Sequence, residues 1–391
     1  MPKYRHRHFI FAPRIQMECL KNIYRTMFQN WLQPLPPLPD TFPADTLGAQ
    51  VIRYEQKMPR LTKGSVALLG LGGEQADAIR STLYSLTAPF EGLSIADLGN
   101  ARKQESIFLI PLIKELLESE VMPVLIGDQA HQALAQYKAY QELQYLINLI
   151  VVDERVPYHV DQSDSTAYFL REIIDSPRSS LFHLSFIGCQ AHYVPGSTFE
   201  ALSQRHFEYV RLGKARADLS ELEPLIRDGD LLSFNLAALQ GAAAPGQHTL
   251  PSPNGFSSEE ACQIARYAGM SDKLKSFGIY GFDPRTDFMQ QSTQLVAQMV
   301  WYFLDGFYSR QGDFPASMDG LAEYIVDFKS HDYQLTFWRS ERTNRWWMQV
   351  PVKTHHQLQR HRLVPCSYND YLQACQGQLP ERLLQALDRF S

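Results

Sequence analysis

The stretch "LIVVDERVPYHV", residues 149–160, decides how the chain folds. Four apolar residues, Leu149 to Val152, lead without interruption into Asp153. An unbroken apolar run suits a strand covered on both faces, because neither side of it meets water. The acid marks where such a strand leaves the core. The run belongs to "INLIVVDE" (147–154), and seven others share its build: "SVALLG" (65–70), "LSIADLG" (93–99), "VMPVLIGD" (121–128), "HLSFIG" (183–188), "HFEYVRLG" (206–213), "DLLSFN" (230–235) and "LKSFGIYGFD" (274–283). Most of the gaps hold helical patterns such as "QADAIRSTLYSL" (75–86), "ESIFLIPLIKELLES" (105–119) and "STQLVAQMVWYFLDGFY" (292–308). Strand and helix in alternation predict an α/β protein with a mainly parallel eight-stranded sheet between two helical layers. In such sheets ligands gather just beyond the carboxyl ends of the strands, so Asp153 and its counterparts are the candidate functional residues.

The bulk numbers exclude several classes. At 391 residues the chain is long enough for one large domain with an appendage. A net charge of −5 argues against electrostatic binding to nucleic acid, and the basic clusters "HRHF" (6–9) and "QRHR" (359–362) read as solvated faces. Cys19, Cys189, Cys262, Cys366 and Cys375 show no C-x-x-C spacing, and an odd number cannot all pair, which suits a reducing compartment. The apolar segment before Pro13 is too short for a signal peptide, and no run approaches the roughly twenty apolar residues that span a bilayer. A cytoplasmic protein with no membrane partner is expected.

Three regions are expected. Residues 1–63 form an N-terminal segment whose "LQPLPPLPDTFP" (32–43) reads as a rigid connector rather than a ligand for a proline-binding domain. Residues 64–328 carry the α/β pattern, and 329–391 a C-terminal extension. In that extension "YQLTFWRSERTNRWWMQVPV" predicts two strands around a polar turn, and "SYNDYLQACQG" and "PERLLQALDRF" predict two short helices. Trp346 and Trp347, adjacent in a strand, should face opposite sides.

The strand-end blocks "GLGGEQADAIRSTLY", "ADLGN", "PVLIGDQAH", "VVDERVP", "LLSFNLAALQGAAAPG" and "PNGFSSEEACQIARYAG" occur in an order that resembles the arginase/agmatinase/formimidoylglutamase (ureohydrolase) family, over residues 64 to about 310. The tail, with Trp346, Trp347 and "PCSYNDY" (365–371), is similar to that of a divergent formimidoylglutamase-like subgroup from Bacteroidetes-type bacteria. The resemblance implies a three-layer arginase-like fold. It also implies hydrolysis of a C–N bond in a guanidino or formimino group at two Mn²⁺ ions bridged by hydroxide. Two adjacent dications need hard anionic donors before they can activate the water between them. The family supplies six ligands from G-G-D-H, D-x-H-x-D and S-x-D-x-D.

Residue by residue, this chain departs from that pattern. In "IGDQ" the ligand histidine is Gln129, beside a retained Asp128. In "DERVP" Asp153 is kept, while Arg155 and Pro157 replace the histidine and the second aspartate. In "SFNLA" the two aspartates are Asn235 and Ala237, and an acid usual after the last strand is Gly281. One carboxylate with neutral amides cannot offset two dications, and a guanidinium in the same pocket would repel them. The spacing of Asp153 and Arg155 predicts an internal salt bridge where the metal would sit.

The expectation is therefore an arginase-fold protein without the dinuclear manganese site and without a cofactor, whose role lies in binding or assembly. The alternative is a metal-dependent hydrolase of formimidoylglutamase or agmatinase type, which would need Mn²⁺. A sharper form of the binding role assigns a carboxylate- or phosphate-bearing ligand to Asp128, Gln129, Asp153, Arg155, Tyr158 and Asn235. Family resemblance implies a homo-oligomer, trimer or hexamer, and the extension offers a surface for a protein partner. Three further features read as structural. His131 sits where a helix cap would be, Cys189 and His192 suit a buried thiol better than a nucleophile and its base, and His355, His356 and His361 lack the spacing of a zinc site.

Overall fold

The computed structural model describes residues 30–37, 41–159, 167–328, 333–352 and 361–390. Two short strands, β1 Leu32–Gln33 and β2 Ile52–Arg53, precede the eight expected ones: β3 Val66–Gly70, β4 Ile95–Ala101, β5 Met122–Ile126, β6 Ile147–Val152, β7 Leu181–Cys189, β8 Glu208–Arg211, β9 Leu231–Asn235 and β10 Ser276–Tyr280. These eight lie parallel in the order β4-β3-β5-β10-β9-β6-β7-β8. The sheet is ten-stranded because β1 and β2 both add to the outer edge of β4, β1 antiparallel at Ala101 and Asn100, β2 parallel at Ala96 and Asp97. A two-residue strand is too short for a periodicity to show. The proline-rich segment thus covers an edge that would otherwise offer unpaired backbone groups, with Leu32 fully buried.

The helices are α1 Leu47–Gln50, α2 Gly73–Ser85, α3 Ser106–Glu118, α4 Ala133–Glu142, α5 Leu170–Ile174, α6 Gly196–Gln204, α7 Leu212–Ala217, α8 Leu222–Arg227, α9 Ser258–Met270 and α10 Gln291–Tyr308. Strand alternation divides the core between the two faces of the sheet. Val66, Leu68, Val124 and Ile126 pack with residues of α2, α9 and α10. Their neighbours Ala67, Leu69 and Leu125 pack on the other face with residues of α3, α4 and α6. This is the three-layer α/β/α arrangement expected. The start of α9 is fixed by "SSEE": Ser257 N–H donates to Glu260 Oε2 at 2.7 Å and Glu260 N–H to Ser257 Oγ at 3.3 Å. No helix among the described residues is long and apolar enough to cross a membrane.

The C-terminal part is a second, antiparallel sheet in the order β11 Leu321–Phe328, β12 Tyr333–Ser340, β13 Trp346–Gln349, β14 Leu363–Cys366, followed by α11 Tyr368–Cys375 and α12 Glu381–Arg389. The turn "SERTNR" does join two strands, β12 and β13. The sheet begins earlier than residue 329, since β11 pairs along its length with β12, from Leu321 opposite Ser340 to Phe328 opposite Tyr333. Trp346 and Trp347 face opposite sides. Trp346 stacks on Tyr371 of α11 with ring centroids 4.7 Å apart, and Trp347 lies 4.3 Å beneath the guanidinium of Arg227 at the end of α8. Both are buried, so neither lines an open groove.

Candidate functional site

The strand order places the ends of β5, β10, β9 and β6 side by side, and these four ends carry the positions singled out in the sequence. Asp153 follows β6 and Asn235 ends β9. Asn235 Nδ2 donates to Asp153 Oδ2 at 2.8 Å, and Asn235 Oδ1 accepts the N–H of Ala237 at 3.3 Å, so both ends of the amide are committed. Asp153 Oδ1 accepts the N–H of Arg155 at 3.1 Å. Burial pushes the Asp153 carboxyl up to about 7, against the lowering pull of the Asn235 hydrogen bond.

The Asp153–Arg155 salt bridge is not formed by the side chains. Arg155 Nε donates to Glu154 Oε1 at 3.1 Å, its guanidinium lies 4.1 Å over the ring of Tyr193, and the side chain is 57% exposed. The alternation that would have put residues 153 and 155 on one face stops with β6 at Val152. Past that point the Arg155 N–H folds back onto the Asp153 carboxylate, in the manner of an Asx turn, and the side chain leaves the cleft. The charge that Arg155 neutralises is Glu154, a buried residue absent from the sequence-derived candidates. Burial raises the Glu154 carboxyl and the Arg155 charge lowers it.

Other positions separate in the same way. Gln129 opens a 3-10 turn at Ala130–Gln132, where its N–H donates to Gln132 Oε1 at 3.4 Å. His131 lies inside that turn, as a first helical turn there implies, but the cap is Gln129, and burial lowers the His131 imidazole while Asp128 opposes the shift. Asp128 Oδ1 is a buried acceptor without a hydrogen-bond partner among the described residues. Tyr158 does not join the group: its hydroxyl donates to Asp175 Oδ1 at 3.4 Å and Arg205 lies 5.8 Å over its ring, so it ties the loop to α5 and α6. Pro157 and Ala237 are buried and offer no side-chain donor. Cys189 is buried, which pushes its thiol up to about 11, and His192 packs at a tilt against Tyr193 with ring centroids 4.2 Å apart, so the two form no nucleophile and base. His355 and His356 lie outside the described residues, whereas His361 is buried with Nδ1 3.5 Å from Lys273 Nζ.

Gly281 shows why the cleft tolerates no extra carboxylate after β10. Its φ is +78°, and a Cβ there would stand 2.2 Å from Asn235 Oδ1. Gly281→Ala is therefore expected to lower stability by about 2 kcal/mol or more, read as a lower urea midpoint at unchanged slope. A variant as stable as the parent would mean that Asn235 is free to move.

The fit of these residues to a pair of divalent ions is poor on chemical grounds. At those strand ends the donors are the Asp153 carboxyl, which burial biases toward its neutral form, the Asn235 amide already bonded at both ends, the Gln129 amide and the Asp128 carboxylate, too few anions for two dications. Among the described residues no group of three or more His, Cys, Asp or Glu side chains is arranged to hold a metal ion.

No family model matches the chain. A formimidoylglutamase of Staphylococcus haemolyticus is 23% identical over 202 residues, covering 49% of this chain and 64% of that protein. One from Staphylococcus aureus is 21% identical over 273 residues, covering 66% and 86%. Among solved structures, the formimidoylglutamase of Bacillus subtilis superposes with a TM-score of 0.60 at 14% identity, covering 73% of this chain and 99% of that one. The formiminoglutamase of Trypanosoma cruzi solved with Mn²⁺ superposes with a TM-score of 0.58 at 18% identity, covering 64% and 95%. The arginase of Bacillus subtilis gives 0.51 at 15% identity, covering 61% and 98%. The chain has the arginase-like α/β/α fold, and the proteins it resembles in sequence are formimidoylglutamases.

Proposed function

We propose that the protein is a non-catalytic member of the arginase-like fold, acting by binding or assembly instead of dinuclear manganese hydrolysis. The Asp153–Asn235 hydrogen bond carries this reading. It ties the one retained ligand position to a neutral amide that stands where an aspartate would be required, and Asn235 in turn occupies the space that a side chain at 281 would need. No step of metal chemistry is derived for this site, since its donors do not suit the ions. A trimer or hexamer of this chain, a protein partner at the C-terminal extension and a cytoplasmic location accompany the proposal.

The curated names of its relatives favour the other reading, a metal-dependent hydrolase of a formimino or guanidino substrate. One experiment separates the two. The protein is produced in Mn²⁺-supplemented medium, its metal content is measured, and release of formamide, ammonia or urea from N-formimino-glutamate, agmatine and arginine is followed beside an active formimidoylglutamase. Substoichiometric manganese and no turnover are expected. Close to two manganese ions per chain together with turnover would overturn the proposal.

A further inference from the structure

The second sheet leaves one edge open. β14 meets the α/β body, where the Cys366 carbonyl accepts from Arg227 Nη2 at 3.3 Å, but β11, at the other end of the order, pairs only with β12. Among the described residues, the backbone groups of Ala322–Asp327 that point away from β12 have no partner. The register with β12 runs unbroken from Leu321 to Phe328, so no bulge turns this edge aside, and "LAEYIVDF" (321–328) contains neither lysine nor proline. Those are the usual devices that keep other chains from adding to a sheet. An unguarded edge of eight residues is a template for another strand.

The two faces of β11 define which strand fits. Its inner face is filled: Val326 and Phe328 are buried, and Tyr324 packs against Trp346 at 5.0 Å and Tyr371 at 5.8 Å. The outer face shows Glu323, Ile325 and Asp327 in succession, all exposed, Ile325 at 57%. Opposite them on β12 stand Trp338, Thr336 and Gln334, none of them a cation. Asp327 Oδ1 accepts from Gln334 Nε2 at 2.6 Å, which leaves its charge in place, and Glu323 has neither hydrogen bond nor ion pair among the described residues. A second copy of β11 offers no cation in any register, and antiparallel pairing about Ile325 sets Glu323 of one copy against Asp327 of the other.

We infer that β11 accepts an extended segment of a protein partner as a fifth strand, one whose outward residues run cation, apolar, cation at every second position. The cations meet Glu323 and Asp327, and the apolar side chain covers Ile325. The ladder of backbone hydrogen bonds supplies affinity, and the two acids supply selection. This deepens the binding role proposed above, on which it rests for a partner, and it fails separately: peptide binding beside manganese-dependent turnover would sink only the non-catalytic reading, and no binding would sink only this surface.

The test titrates the full chain into a labelled, end-capped peptide, Thr-Lys-Thr-Val-Thr-Lys-Thr, followed by fluorescence anisotropy. Saturable binding is expected, roughly tenfold or more tighter than for the same peptide with glutamates in place of lysines. N-methylation on alternate residues removes strand donors without touching charge. Made in both phases, at least one such peptide should lose binding roughly tenfold or more. Glu323→Gln combined with Asp327→Asn, at exposed positions outside the core, should weaken binding several-fold, and added salt should erase the difference from the parent. No saturable binding, equal binding of both N-methylated peptides, equally tight binding of the glutamate peptide, or binding indifferent to the paired substitution would each overturn the inference. A dimer of the chain that excludes the peptide would overturn it as well.

Discussion

Asp153→Asn is expected to make the protein more stable at pH 8, by about 2 kcal/mol, although it removes the carboxyl that links the ends of β6 and β9. The carboxyl is fully buried and pushed from an ordinary 3.8 up to about 7. A carboxyl whose folded value lies above its unfolded value binds its proton more tightly in the fold. Its contribution to stability is thus greatest below 3.8 and is lost as the pH rises through about 7. The full difference corresponds to on the order of 4 kcal/mol. An amide escapes that cost but keeps only part of the hydrogen bonding. If the substituted amide retains the Arg155 N–H on its oxygen, its own NH₂ meets Asn235 Nδ2, and one hydrogen bond worth about 1–2 kcal/mol is lost. The two stability curves should therefore cross. Below pH 4 the parent is the more stable, and between pH 4 and 7 the variant overtakes it. Urea unfolding of both proteins across this range checks the point. A variant less stable by a constant amount at every pH would show that folding leaves the Asp153 carboxyl unshifted, and the account of the cleft would fail.

Arg227→Ala is expected to cost about 3–5 kcal/mol and to loosen the C-terminal extension before the α/β body unfolds. Arg227 is buried at the end of α8, where Nε donates to Glu223 Oε1 at 2.9 Å. Its Nη1 and Nη2 both donate to the Trp346 carbonyl, at 3.2 and 3.1 Å, and Nη2 also reaches the Cys366 carbonyl at 3.3 Å. With Trp347 beneath it, one guanidinium thus joins the body to β13 and β14. Truncation leaves two strand carbonyls without their donor and a void against the indole. Lysine would keep the charge but not the planar fork, so Arg227→Lys should recover less than half of the loss. Tryptophan fluorescence should shift at lower urea than far-ultraviolet circular dichroism in the variant, and the two should coincide in the parent. Coincident transitions at an unchanged midpoint would show that the extension is held elsewhere, as by Arg389, which pairs with Asp228 at 2.8 Å and Glu208 at 3.2 Å.

The eight parallel strands and most of their helices were legible because local periodicity and burial agree in them. "LIVV" is apolar at every position since both faces of β6 are covered, and "SSEE" caps α9 through contacts three residues apart. The hairpin of β12 and β13 and the opposed tryptophans were legible for the same local reason. What the reading missed lies where local rules stop. The edge strands β1 and β2 exist only through pairing with β4, more than forty residues away. β11 extends the second sheet back to Leu321 through its pairing with β12.

By itself the sequence determined the α/β/α layering and the residue types at the strand ends, because residue type and the two-residue period of a strand are covalent properties, whereas which strand ends become neighbours was decided by the sheet order. Tertiary structure alone decided where Arg155 goes and what Asp153 meets. Beyond Val152 the backbone leaves the strand, and side-chain direction is then set by contacts: the ring of Tyr193, the carboxylate of Glu154 and an asparagine whose amide takes the space that a side chain at Gly281 would need. Direction in a loop is a sum of contacts, and contacts between residues far apart in the chain exist only once it has folded.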